Sequence, residues 1–301
     1  MVSFAEAIQH GWENHDKDPG GVFERARASI ELLEEAGQVP ALAKLLFHVG
    51  AEHLGKPRET LLALKALQHR RLCGPTSPES VALARTVAAC HLCFDDSGAA
   101  GAALSAAGAT GSSDRGIVHT LAAGVLATRG DAASAKDHLD HAVLLSERGD
   151  TPADLARAIA STANNIAASL EEAPGLDTDS RALLHEAAKL ARRFWELAGN
   201  WTHVERAEYR LSSACCKLGL ADDAVRHAEE CLAICVKNEA DAAETFFAQE
   251  IRARAHALAG NRQEAVNSYE SARELVGQIT DPGMRSWCEE TLERLTRTVG
   301  G

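Results

Sequence analysis

Residues 260–272 contain the spacing that decides the fold, and they read Gly260-Asn-Arg-Gln-Glu-Ala-Val-Asn-Ser-Tyr-Glu-Ser-Ala272. The glycine is followed by an alanine at offset 5, a bulky residue at offset 9 and an alanine at offset 12. Glycine ends helices readily because it adopts the left-handed conformation without a side-chain clash. The residues at those three offsets then lie on one face of the next helix. The stretch therefore predicts two helices joined by a tight turn.

The same spacing recurs at four other glycines, closely at Gly219 and Gly130 and more loosely at Gly175 and Gly55. Apolar residues also recur at helical intervals before the glycines at 130, 219 and 260. Each unit therefore reads as a pair of antiparallel helices. A single pair cannot bury its apolar faces, so neighbouring pairs must stack to complete a core.

The chain resembles the tetratricopeptide repeat (TPR) superfamily at positions that match its small-residue pattern. In one unit these positions are Leu211, Ser212, Cys215, Gly219, Ala224, Ala228 and Cys231; in the next they are Ala253, His256, Gly260, Ala265, Tyr269 and Ala272. The resemblance covers most of the chain from about residue 38 and implies an all-α, right-handed α-solenoid of antiparallel helix pairs.

The repeat is longer than the family's usual period of about 34 residues. Successive equivalent positions at Ala135, Ser180, Ala224 and Ala265 lie 45, 44 and 41 residues apart. The difference predicts helices that are about two turns longer, at 3.6 residues per turn. A HEAT-like solenoid has a similar period and is the alternative fold.

The pattern predicts fourteen paired helices and a C-terminal capping helix after the DPG break at 281–283. The first pair, which contains Phe4 and Phe23, is atypical, as terminal repeats often are. GATGSSD at 108–114 predicts a loop and a soft point within a single domain, 1–301. The expected helices span 3–16, 19–36, 39–54, 57–72, 77–93, 96–107, 115–129, 131–147, 152–172, 178–198, 201–218, 220–237, 240–259, 261–277 and 284–298.

Composition and charge narrow the classes of partner. The net charge of −12 disfavours nucleic acid and anionic membranes, whose binding depends on neutralising phosphates. The N-terminus lacks the pattern of a signal peptide, and no apolar run reaches the roughly 18 residues of a membrane span. The eight cysteines lie in apolar helical patterns, which indicates free thiols and a cytoplasmic protein.

Three local motifs raise the possibility of metal or redox chemistry, and each has a structural interpretation that we favour. Cys90-His-Leu-Cys93 lacks a second ligand pair and is expected to supply buried thiols. Cys215, Cys216, Cys231 and Cys235 are expected to be small apolar fillers. Asp137-His-Leu-Asp-His141 is expected to face water. No phosphate loop or nucleophile elbow occurs, so we expect no enzymatic activity, cofactor or metal.

The family resemblance implies an inner groove lined by the first helix of each pair. Arg206 and Arg210 lie one turn apart, and a guanidinium binds a carboxylate through two hydrogen bonds. The alternative is that both arginines pair with Glu205, Glu208 or acids on the next helix. The resemblance implies a binding site at Asn165, Arg206, Tyr209, Arg210, Ser213, Lys217, Glu250 and Arg254.

The leading hypothesis is a non-enzymatic scaffold or adaptor that holds a protein or peptide in this groove. One alternative is a regulatory sensor whose superhelix responds to a small ligand or peptide. A metal- or thiol-dependent enzyme is the third hypothesis. The open ends of a repeat stack also suggest self-association through the end repeats.

Overall fold

Antiparallel helix pairs follow one another through residues 3–147 and 151–299, which the computed structural model describes. No strand occurs in these two ranges. The α-helices are α1 (Phe4–Asn14), α2 (Pro19–Ala28), α3 (Val39–Leu46), α4 (Pro57–His69), α5 (Pro78–Leu92), α6 (Ser97–Ala106), α7 (Ser112–Thr128), α8 (Ala132–Ser146), α9 (Ala153–Glu172), α10 (Thr178–Ala198), α11 (Trp201–Leu218), α12 (Ala221–Lys237), α13 (Ala242–Leu258), α14 (Arg262–Val276) and α15 (Pro282–Val299).

The chain divides into two compact units, Met1–Thr162 and Ala163–Gly301, with the boundary inside α9. In the first unit, α5 packs on α6 and α7 packs on α8. A core that includes Leu42 and Leu64 also contains buried residues of α5, α6 and α7. In the second unit, α11 packs on α12 and α13 packs on α14. Helix α15 packs on both α13 and α14, as the predicted capping helix should.

Several of the predicted boundaries differ from the structure, and the helix predicted over 57–72 ends at His69. The helix predicted over 19–36 ends at Ala28, where the Ser29 hydroxyl donates to the Arg25 carbonyl at 2.8 Å and a 3₁₀ turn follows. The helix predicted over 39–54 is α-helical only to Leu46 and continues as a π-helix, Phe47–His53. Helix α7 begins at Ser112 within the predicted loop 108–114.

The repeat glycines adopt the predicted left-handed conformation at Gly55, Gly130, Gly219 and Gly260, and Gly108 does so too. Gly175, the loosest match, does not. At Gly219, where φ is 77°, the amide hydrogens of Gly219 and Leu220 bond the carbonyls of Cys216 and Cys215 at 3.2 and 2.9 Å. These bonds satisfy carbonyls at the end of α11 and let α12 begin at once.

The small residues after each glycine are buried as the spacing predicts. Ala224, Ala228 and Cys231 are fully buried on α12, and Ala265 and Ala272 are buried on α14. Small side chains at these positions allow the paired helices to approach closely.

The cysteines of the Cys90–Cys93 motif are buried, so this prediction is confirmed. The Cys93 thiol donates to the Ala89 carbonyl at 3.2 Å, and burial raises the pKa of Cys93 to about 12. Cys215, Cys231 and Cys235 are buried as well, while Cys216 is half-buried.

The motif at 137–141 only partly faces water. Asp137 and His141 are exposed, but His138 is half-buried because it packs against His119 of α7, with their Nδ1 atoms 2.8 Å apart. The His141 ring stacks on the His119 ring with a centroid distance of 5.1 Å. The partner at 119 lies outside the motif, which is why the local pattern did not reveal it.

None of the helices in the described ranges has the length and apolarity needed to cross a membrane.

We expect Gly219→Ala to lower the free energy of unfolding by about 1–2 kcal/mol, because an L-residue is strained in the left-handed conformation. Urea denaturation measures the change. Gly277→Ala is the matched control, because Gly277 is also exposed after a helix but has φ of −63°. Equal losses in the two variants would contradict the assignment of strain to Gly219.

Candidate functional site

A cavity of about 810 Å³ lies in the second unit against the first helices of successive pairs, α9, α11 and α13, and against α15. Charged side chains from all four helices line it. They are Glu171 and Glu172 on α9; Glu205, Arg206, Arg210 and Lys217 on α11; Glu244 and Arg254 on α13; and Arg294 on α15. The cavity therefore presents both signs of charge.

Arg206 is more accessible than Arg210 and Arg254, whose side chains are 26% and 31% exposed. Its side chain is 67% exposed, and its guanidinium forms a forked ion pair with Glu244 on α13, with Nε 3.1 and 3.2 Å from the two carboxylate oxygens. Hydrogen bonding to Glu244 raises the pKa of Arg206, which keeps the guanidinium charged. The Arg206 guanidinium is therefore accessible from solvent, although its partner Glu244 is only 17% exposed.

Arg210 is held more firmly than Arg206. Its Nη1 donates to Glu171 on α9 at 2.7 Å, and the two side chains are 26% and 12% exposed. Burial raises the pKa of Glu171, although Arg210 opposes this effect. Lys217, about two turns further along α11, donates to the Ala173 carbonyl just beyond α9 at 2.7 Å. These contacts fix α11 against α9.

A buried hydrogen-bond network joins α11 to α13 beneath the cavity. The Tyr209 hydroxyl donates to Glu250 at 3.0 Å, and Arg254 lies 3.5 Å from the same carboxylate and donates to Ser213 at 3.2 Å. Burial raises the pKa of Glu250, while Arg254 and Tyr209 lower it. Removing one member would leave a buried polar group unpaired, which costs about 1–3 kcal/mol.

Aromatic rings form an apolar wall at the α15 side of the cavity. Trp287 is 51% exposed and packs on Phe247 with a centroid distance of 4.7 Å. Phe247 in turn meets Tyr209 edge to face at 6.2 Å. An exposed tryptophan beside charged groups offers a ligand apolar surface and a hydrogen-bond donor together.

Glu205 is the least typical acid of the cavity, because it is almost fully buried on α11. One carboxylate oxygen accepts from the Cys231 thiol at 3.0 Å. Burial raises the pKa of Glu205 to about 7; the neighbouring Glu244 also raises it, and the Cys231 hydrogen bond and Arg206 oppose the increase. The cavity therefore holds a carboxyl group that titrates near neutral pH.

No protein-family model matches the sequence, and no curated protein matches it. Among solved structures, the crystal structure of the apo form of RapI is similar over 99% of this chain and 84% of RapI, with a TM-score of 0.50 and 9% identity. The chain has a TPR-like helical-repeat fold.

Two other solved structures resemble the chain less well. A Podosopora anserina protein of the kinesin light chain type, with nearly identical TPR-like repeats, covers 81% of this chain and 96% of its own, with 14% identity and a TM-score of 0.45. The match to the TPR domain of P58(IPK) covers 99% of this chain and 94% of that domain, with 17% identity and a TM-score of 0.23.

In this TPR-like fold, six of the eight residues that the sequence suggested line one cavity: Arg206, Tyr209, Arg210, Ser213, Lys217 and Arg254. Glu250 lies beneath it in the buried network. Asn165 is exposed and does not line it, whereas its neighbour Asn164 does, because the helical register differs by one residue.

Sequence reasoning missed the residues that complete the cavity from other helices. Glu171 and Glu244 pair with the two predicted arginines, so both arginines have acidic partners. These partners lie on α9 and α13 and are not Glu205 or Glu208. Trp287 on α15 lines the cavity as well. Its helix lies outside the repeat, so no aligned position could indicate that it reaches the cavity.

We expect Glu205→Gln to stabilise the protein more at pH 8 than at pH 4.5. Below pH 4.5 Glu205 is protonated in both states; between 4.5 and about 7 only the unfolded state loses the proton, so stability falls as pH rises. Glutamine cannot ionise, and its carbonyl still accepts from Cys231. The raised pKa corresponds to a change on the order of 2–3 kcal/mol, between the two pH values, in the effect of Glu205→Gln on the free energy of unfolding.

Urea unfolding of wild type and variant at both pH values measures this difference. Comparing the two proteins at each pH cancels the titration of the remaining groups. An equal effect of the substitution at pH 4.5 and pH 8 would show that Glu205 does not titrate differently in the folded state.

Proposed function

We propose that this protein is a non-enzymatic binding module that holds a short peptide segment of a partner protein in the cavity along α9, α11, α13 and α15. The observation that carries the proposal is the combination of an exposed arginine, Arg206, and an exposed aromatic wall at Trp287 in one cavity. A volume of about 810 Å³ falls within the range typical of ligand pockets, about 300–1,000 Å³.

The local charge favours a peptide that carries a carboxylate. Five basic and four acidic side chains line the cavity, whereas the whole chain has 31 basic and 43 acidic residues. The balance is more positive still when Glu205 is protonated. A carboxylate on the peptide, at its C-terminus or on Asp or Glu, would exchange with Glu244 for the Arg206 guanidinium.

The remaining contacts suit a peptide rather than a simple anion. A peptide backbone supplies both hydrogen-bond donors and acceptors, and the cavity offers both through Asn164, Glu172 and Lys217. An apolar side chain of the peptide would pack on Trp287 and Phe247. Buried aromatic and arginine contacts supply most of the energy in such interfaces.

Selection from a library of random short peptides with free C-termini tests this proposal. We expect enrichment of peptides that combine a carboxylate with an aromatic or aliphatic residue. Fluorescence anisotropy of a selected peptide should show a dissociation constant raised about 10-fold or more by Arg206→Ala, since a charge-assisted hydrogen bond contributes about 1.5–3 kcal/mol. Trp287→Ala should weaken binding through lost apolar contact.

Arg273→Ala is the matched control, because Arg273 on α14 is 60% exposed, pairs with Glu270 and does not line the cavity. Arg210 is unsuitable for charge reversal, because a carboxylate there would face the buried Glu171 and unfold the site. If no peptide were enriched, or if Arg206→Ala and Arg273→Ala bound the selected peptide equally, the proposed site would be wrong.

A further inference from the structure

Ring nitrogens from three histidines of the first unit, His15, His48 and His53, lie close together in the structure. His15 follows α1, whereas His48 and His53 lie in the π-helix after α3. One nitrogen from each ring lies within 4.8 Å of the other two, and the Nε2 atoms of His48 and His53 are 3.1 Å apart. In the described ranges, this is the one group of three or more His, Cys, Asp or Glu whose ligand atoms converge in this way.

The π-helix is what places His48 and His53 side by side. In an α-helix, residues five apart point about 140° away from each other, because each residue turns the chain by about 100°. In a π-helix the amide of residue i+5 bonds the carbonyl of residue i, so the two residues lie one above the other. The Leu54 amide bonds the Val49 carbonyl at 3.0 Å in this pattern. Such segments are uncommon and frequently occur at functional sites.

Hydrogen bonds at Nδ1 leave two of the rings with an Nε2 that carries a lone pair and no proton. His15 Nδ1 lies 2.7 Å from the Trp12 carbonyl, which can only accept, so Nδ1 carries the proton. His48 Nδ1 lies 2.6 Å from the Glu52 carboxylate and donates to it. Metal-binding histidines almost always donate their second nitrogen to a carbonyl or carboxylate in this way, which fixes the tautomer and the ring orientation.

The third ring has the same kind of partner available. His53 Nδ1 lies 3.9 Å from the Asp16 carboxylate, and His15 Nε2 lies 3.6 Å from it. Without a cation, His53 must donate from Nε2 to the lone pair of His48 Nε2. With a cation between the Nε2 atoms, the His53 proton moves to Nδ1, beside Asp16. The carboxylates of Glu52 and Asp16 would then offset the charge of the cation.

An aromatic side chain supports the cluster from one side. The Trp12 ring packs on His15 and His48 with centroid distances of 5.6 and 5.3 Å. The three imidazoles are themselves in contact, with centroid distances of 4.5 to 5.1 Å. Their side chains are each 21–28% exposed, so an ion can reach them from solvent.

We propose that His15, His48 and His53 bind a divalent transition-metal ion, with Zn²⁺ as the cation, and that Glu52 positions His48. Imidazole nitrogen is a preferred ligand of zinc, at about 2.0–2.1 Å, and a tetrahedral ion then holds its nitrogens about 3.3 Å apart. The His48–His53 separation of 3.1 Å already matches this value. A nitrogen of His15 lies at most 4.8 Å from those of the other two rings, and zinc binding would require this ring to move toward them.

Zinc titration of the chelator-treated, dialysed protein against a chromophoric competitor tests the proposal. We expect one zinc ion per chain and a rise in the thermal unfolding midpoint on its addition. Replacing any of the three histidines with alanine should abolish or greatly weaken this binding. Glu52→Gln, which keeps all three imidazoles, should weaken it about 10–100-fold. His138→Ala is the matched control, because it removes a half-buried histidine from the separate cluster with His119.

Cobalt substitution distinguishes this site from the thiols. A site of three imidazoles gives the visible absorption of bound Co²⁺ without an intense thiolate-to-cobalt band, which a site using Cys73 or Cys216 would show. Circular dichroism of the metal-free variants shows whether they are folded. If an alanine variant is not folded, the zinc affinity of Glu52→Gln and the cobalt spectrum of the wild type test the proposal instead. Failure of the wild type to bind zinc, a thiolate band, or equal loss of binding in His138→Ala would overturn the proposal.

Discussion

The paired helices of this chain can pack only if their backbones approach closely. With aromatic residues at 4% of the sequence, the helices rely on small side chains, such as Ala224, Ala228 and Cys231, to come near enough for dispersion contacts. A pair packed in this way covers only one face of each helix. The other face has to meet a neighbouring pair, and the first helices thereby present a second set of residues to one another.

Ionic and hydrogen-bonded contacts between first helices follow from that arrangement. Glu171 and Arg210 join α9 to α11, and Tyr209 with Glu250 joins α11 to α13. Buried polar groups of this kind contribute little net stability but are costly to leave unpaired, so they fix the register between helices. The same contacts divide the cavity arginines into two kinds. Arg210 and Arg254 hold the wall together, while Arg206 stays accessible to a ligand.

The sequence was sufficient for the regular part of the fold and for only part of the cavity. Gly219 and Gly260 predicted turns because their conformation depends on the residue itself, and Ala224 predicted a buried face because helical spacing is local. The pairing of Arg206 with Glu244 depends on how α11 and α13 pack together, since the two residues are 38 positions apart in the sequence. The presence of Trp287 in the cavity depends on the direction of α15, which no position of the repeat specifies. The misassignment of Asn165 in place of Asn164 shows that an alignment of repeats locates a helix more accurately than the face of that helix.

The histidine cluster shows a stricter limit on sequence reasoning. His48 and His53 are spaced as residues on opposite sides of an α-helix, and the apolar pattern of 39–54 fits an α-helix well. Their convergence depends on the change from α to π geometry after Leu46, where the close packing of Phe23 and Thr60 against Gly50 leaves no room for a side chain. A methyl group on Gly50 would lie 2.3 Å from both neighbours. The π-helix therefore holds a glycine that no larger residue could replace without moving a neighbour, and spacing rules that assume a uniform helix detect neither the π-helix nor the histidine cluster.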